Sequence, residues 1–200
     1  MADTPTRRPL KGSCHCGAVQ FIIFLTLPHP HPGGSRAPDG SQRFFRCNCT
    51  NCQKGGSFHI RPASMHEDVL LLSPLDPHSQ MGDYLHGDKE IHMFFCQHCG
   101  VRCFTLNVEG TYELDDVDLH KLGVSDAEPG KITKVWRVTK TGGHPKYGHH
   151  LLINGHLINA RQGFDMRELV EKKIVQYGDM LDDHDPKPIS FDRPQEGGCY

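Results

Sequence analysis

The stretch Cys14-His15-Cys16-Gly17-Ala18-Val19-Gln20-Phe21-Ile22-Ile23-Phe24-Leu25-Thr26-Leu27 joins two thiols to a β-branched and aromatic run that stops at Pro28. The run is strand-sized, far from the roughly 20 apolar residues that span a bilayer, so it reads as one strand of a buried sheet. The cysteine pair therefore sits at a strand entrance.

Two further groups share this density of sulfur: Cys47-Asn48-Cys49-Thr50-Asn51-Cys52, and Cys96-Gln97-His98-Cys99 followed by Gly100. The amino terminus, Met1 to Pro9, has no apolar signal core, which gives secretory export no support and makes the cytosol the default address, with the nucleus second. Thiols are kept reduced there, so nine cysteines point to metal or redox chemistry rather than to disulfides. With 22 Lys and Arg against 24 Asp and Glu, the formal charge of -2 supplies no basic field for nucleic acid or an anionic membrane. Small molecules are the expected partners, and the sequence does not set an oligomeric state.

Further short strand candidates are Val69 to Leu72, Ile91 to Phe95, Val101 to Val108, Ile132 to Val138 and His150 to Ile153, a pattern that predicts a mainly β protein. Pro28 to about Gln42 is turn chemistry and reads as an exposed loop. One helix is predicted from Asp165 to about Tyr177, with Asp165 as N-cap, Glu168 at capping-box spacing and Gly178 ending it. The organisation expected is a flexible leader over 1–10, a zinc domain over 11–122, an extension over 123–178 packed on it, and a flexible acidic tail over 179–200.

Thiolates one or two residues apart can turn toward one tetrahedral centre with Zn–S bonds of about 2.3 Å. A structural zinc takes four protein ligands and a catalytic one commonly three, so seven clustered thiols divide as four and three. Cys14, Cys16, Cys96 and Cys99, two pairs from distant segments, suit a closed site that clamps separate strands. Cys47, Cys49 and Cys52 are left as a compact trio with a position open to water or a thiol. The competing reading makes both sites structural, with Cys103 or a histidine completing the second; another makes the trio respond to oxidants.

Gly12-Ser13-Cys14-His15-Cys16-Gly17-Ala18-Val19, the Cys-x-Cys-x-x-Cys trio and Phe95-Cys96-x-x-Cys99-Gly100 together resemble the glutathione-dependent formaldehyde-activating enzyme (GFA) family, whose domain centromere protein V shares. The resemblance runs from about Lys11 to about Leu122. It implies a β-tent fold of stacked antiparallel sheets, a structural zinc on Cys14, Cys16, Cys96 and Cys99, and a catalytic zinc on Cys47, Cys49 and Cys52. It also implies carbon-sulfur lyase chemistry on glutathione or a glutathione adduct, as in S-hydroxymethylglutathione synthesis, with a non-catalytic zinc-binding interaction module as the alternative. His59 and His98 are the candidate acids or bases, and Arg61, Lys54 and Arg102 candidate carboxylate binders. Cys103 reads as a packed core thiol, and Cys199 as a free thiol in the tail.

Overall fold

The computed structural model describes residues 4–86, 89–106, 112–141, 150–181 and 187–198; Cys199 lies outside them. In chain order the elements are β1 (Thr6–Ser13), β2 (Gln20–Leu27), β3 (Arg43–Cys47), α1 (Thr50–Gly55), β4 (His59–Arg61), β5 (Val69–Ser73), α2 (Pro77–Gln80), β6 (Gly82–His86), β7 (Ile91–Phe95), β8 (Arg102–Leu106), β9 (Tyr112–Asp118), β10 (Ile132–Val138), β11 (Leu151–Asn154), α3 (Met166–Glu171) and β12 (Gln176–Gly178). The protein is mainly β, as its short apolar runs predict. None of the described helices is long and apolar enough to cross a membrane.

Two sheets carry the fold. One has the order β1-β2-β5-β10-β9, the other β12-β3-β4-β11-β8-β7-β6. Every pairing is antiparallel except β12 against β3. The sheets pack face to face: Phe21, Ile23, Leu25, Leu71 and Trp136 of the first share a core with Phe44, Ile60, Phe94, Phe104 and Ile153 of the second. The alternate residues of β2, Ile22 and Phe24, bury on the opposite face against Leu119 and Val124. Burial on both faces is why β2 is apolar throughout rather than alternating. Strands β10 and β11 come from the 123–178 stretch and lie inside the two sheets, so each sheet is built from chain on both sides of residue 122.

Two local readings differ from the structure, and one element was not anticipated. Thr6–Ser13, placed by composition largely in a loose leader, pairs with β2 from Thr6↔Leu27 to Ser13↔Gln20. Pro9 is tolerated because β1 is an edge strand, which can lack one N–H. The predicted helix begins where expected, with Asp165 Oδ1 accepting from the Arg167 backbone, but α3 ends at Glu171. Lys173 then takes a left-handed conformation with φ of 52°, and Gln176–Gly178 turns into β12 beside β3. Ile174 and Val175 bury there, so tertiary packing outweighs helical propensity. Finally, α1 is a six-residue helix between Cys49 and Gly56 that no apolar period announces.

Candidate metal centres and cleft

Cys14 and Cys16 lie in the β1–β2 turn, and Cys96 and Cys99 in the β7–β8 turn, so one convergence ties a hairpin of each sheet. The two turns are built alike. Cys14 N–H donates to Val19 O at 3.0 Å and Cys96 N–H to Val101 O at 2.9 Å, while Gly17 and Gly100 take positive φ of 78° and 72°. A glycine at each reversal avoids the Cβ penalty of that conformation. The Sγ atoms of Cys14 and Cys16, and of Cys16 and Cys96, are 3.6 Å apart. A tetrahedron with bonds of about 2.3 Å has edges of about 3.8 Å, so the four thiols fit one zinc-sized ion.

The second convergence is Cys47, Cys49 and Cys52, whose sulfurs lie within 4.8 Å of one another. Cys47 ends β3, and Cys49 caps α1 with its sulfur accepting from Cys52 N–H at 3.4 Å. Cys49 N–H donates to Cys47 Sγ at 3.3 Å. Thiol hydrogen bonds from Cys47 and Cys52 drive Cys49 far down toward thiolate, while the hydrogen bond to Cys49, helped by burial and opposed by Cys52, pushes Cys47 up to about 11. One thiolate sharing its site with two thiols is a donor set that an added cation would complete by releasing the remaining protons. His59 Nε2 is 3.1 Å from Cys52 Sγ, and burial lowers that imidazole to about 4, so it is neutral at ordinary pH. The converging group itself consists of the three thiols.

A cleft of about 570 Å³ opens beside the trio, with Cys47, Cys52 and His59 in its wall. The register of the seven-stranded sheet explains its floor. Alternation on β3 sends Phe44 into the core and Arg43, Phe45 and Cys47 into the cleft. Across β4, Phe45 faces His59, the rings stacking at 4.9 Å between centroids, and Arg43 faces Arg61. Leu152, Thr105 and Met93 continue the floor across β11, β8 and β7. The cleft thus has a cationic half on β3 and β4 and an apolar half on β11 to β7. Arg46 also lines the cleft, with its guanidinium 5.4 Å from the Phe58 ring centre.

Arg43 is buried and donates to Asp39 Oδ1 at 2.5 Å. Asp39 also lies 3.8 Å from Arg36, so a single carboxylate serves both. Arg61, half-buried, has no hydrogen-bond or ion-pair partner among the described residues, and burial followed by the Arg43 charge lowers its pKa. His150 also lines the cleft, lowered to about 4 by burial and then by Arg61.

The other candidates lie elsewhere. His98 is exposed beside Cys96, in the four-thiol turn. Lys54 is exposed on α1, and Arg102 Nη1 is spent on the Asn51 backbone carbonyl at 3.1 Å. Cys103 is a buried thiol, raised to about 12 by burial and bonded to Val101 O at 3.2 Å. A third convergence, His78, Asp83 and His92, contains a 2.6 Å contact between His92 Nδ1 and Asp83 Oδ2. Sequence reasoning passed over Arg43, Arg36 and His150; the alternation Arg43-x-Phe45-x-Cys47 puts Arg43 on the metal face and was the available signal for it.

The acidic stretch after Gly178 reaches this site too. Asn48, between two of the trio, donates to Asp179 Oδ1 at 2.6 Å and to Glu196 O at 3.0 Å, and accepts from Met180 N–H at 2.6 Å. Met180, Lys187 and Ile189 help to line the cleft.

Comparison with known proteins sets this site in context. The family model described as glutathione-dependent formaldehyde-activating enzyme matches residues 9–134. The chain belongs to the GFA family. A curated Halomonas elongata relative, which carries the provisional name glutathione-dependent formaldehyde-activating enzyme, is 43% identical over 65 residues. That match spans 32% of this GFA-family chain and 33% of the relative. The fold is also similar to a crystal structure of a Rhodobacter sphaeroides protein, at 16% identity and a TM-score of 0.42, over 80% of this chain and 94% of that one.

Proposed function

We propose that this GFA-family chain is a zinc-dependent carbon-sulfur lyase acting on glutathione or a glutathione adduct. In this reading Cys14, Cys16, Cys96 and Cys99 hold a structural ion and Cys47, Cys49 and Cys52 a functional one, two per chain. The supporting observation is the setting of the trio: Cys47 and Cys52 open on the cleft whose β3–β4 half carries Arg43 and Arg61. Zinc bound by the trio would supply a Lewis-acid position at which a sulfur is stabilised as thiolate.

The chain's own residues do the rest. Cys47, Phe45 and Arg43 succeed one another along β3 over about 13 Å. The sulfur of glutathione hangs from its central residue, so with the sulfur at the trio an arm of about two residues, roughly 7 Å, carries a carboxylate along β3 toward the long Arg43 and Arg61 side chains. Guanidinium forks suit that carboxylate. In the cleaving direction the carbon-sulfur bond breaks as the adduct's hydroxyl gives up its proton to solvent water and becomes the aldehyde carbonyl, and the electron pair leaves with sulfur as thiolate. Synthesis is the reverse. His59, stacked on Phe45 and 3.1 Å from the Cys52 sulfur, fixes that ligand's orientation.

Calorimetric titration of glutathione into the zinc-loaded full chain tests this, alongside turnover of S-hydroxymethylglutathione. Binding and turnover in the parent, both abolished in a folded Cys49→Ser variant, are the expected results. Unchanged turnover in that variant would overturn the assignment, and binding without turnover would favour the non-catalytic module.

A further inference from the structure

The cationic half of the cleft meets the needs of a peptide with two carboxylates, yet the other half does not. Across from Arg61, the antiparallel register set by Ile60↔Ile153 brings Leu152, followed by Thr105 and Met93 on the next two strands. Ile91, two residues before Met93, extends the same face of β7. Met180 and Ile189 also line the cleft and remain exposed, although each is a large apolar side chain. Glutathione itself is polar along its whole length, and pressing its amides on this wall would strip their water without replacement partners. An aldehyde of one carbon would leave the wall wet.

We infer that the substrate is a glutathione adduct with a bulky apolar group on sulfur, seated on the Leu152–Thr105–Met93 wall while the peptide carboxylates face Arg43 and Arg61. This rests on the glutathione reading above and narrows it. The geometry is that of an angle. The peptide runs along β3 from the trio toward Arg43, and the substituent runs across the sheet from β4 to β7, three strand spacings or about 14 Å. Met93 belongs to both parts of this arrangement, because its sulfur accepts a hydrogen bond from Asn51 of α1, one residue from the ligand Cys52. The apolar wall therefore also touches the metal loop at its β7 end. The cleft volume of about 570 Å³ lies well inside the range of roughly 300–1,000 Å³ typical of sites for drug-sized ligands.

The test is a ligand series on the zinc-loaded full chain: glutathione, S-methylglutathione and S-hexylglutathione, with affinities from calorimetry. Full burial of a methylene strengthens binding about four-fold, so even partial burial of five added methylenes makes the hexyl derivative at least about ten-fold tighter than the methyl one. Substituting Ile91→Gln should shrink that ratio. Equal affinities for the methyl and hexyl derivatives, with glutathione bound, would overturn the apolar-substituent inference and leave the glutathione reading standing. Failure of all three to bind would overturn the glutathione reading itself.

Discussion

Arg61→Gln separates a structural role from a binding role because the two predict opposite signs. Arg61 faces Arg43 directly across β3 and β4, and like charges in directly opposed positions cost about 0.2–1 kcal/mol. Asp39 offsets part of this, but its 2.5 Å contact is with Arg43, and Arg61 has no ion pair of its own among the described residues. Removing the Arg61 charge should therefore leave the ligand-free protein as stable as before or more so by up to about 1 kcal/mol. The same change removes a charge-assisted hydrogen bond to a substrate carboxylate, worth about 1.5–3 kcal/mol. Glutathione affinity should then fall by roughly 10- to 150-fold. Chemical denaturation of the ligand-free chain and calorimetry with glutathione read the two quantities separately. Lost stability with unchanged glutathione affinity would refute the reasoning and make Arg61 a structural residue.

Other perturbations probe the remaining parts. Cys96→Ser removes a donor from the clamp between the sheets. Structural zinc contributes an apparent ~10–16 kcal/mol, which matches or exceeds the net stability of about 5–15 kcal/mol of a typical domain, so circular dichroism should find the variant unfolded. For His150, burial lowers the folded pKa to about 4, below the usual 6.5 of an imidazole. The unfolded chain binds the extra proton first, so stability should fall as pH drops from about 6.5 toward 4, and His150→Gln should flatten that slope in melting curves. Asn48→Ala breaks three hydrogen bonds that tie the trio's loop to Asp179, Met180 and Glu196. It should cost about 1–3 kcal/mol in denaturant titrations and make the trio's metal easier to remove.

Strands β2, β5, β7 and β10 were legible because each carries its own apolar signal, and the three cysteine groups because their spacing is chemical rather than conformational. Edge strand β1 was not, since Arg7, Arg8 and Pro9 carry no apolar period and the strand is specified by its pairing with β2. Helix α1 is too short for a period and is fixed instead by the Cys49 cap and the Gly56 turn. The paired Arg43 and Arg61 required the β3–β4 register, and 17 residues lie between those positions. The contacts of Asn48 with Asp179 and Glu196 bridge more than 130 residues of sequence, which no local pattern encodes.

The central claim, that four thiols form a closed clamp and three an open functional site, is tested most directly by zinc per chain. Elemental analysis of the reduced protein, before and after brief exposure to a weak chelator, should find two ions falling to one while circular dichroism stays unchanged. One ion from the outset, or two that both resist the chelator, would contradict it.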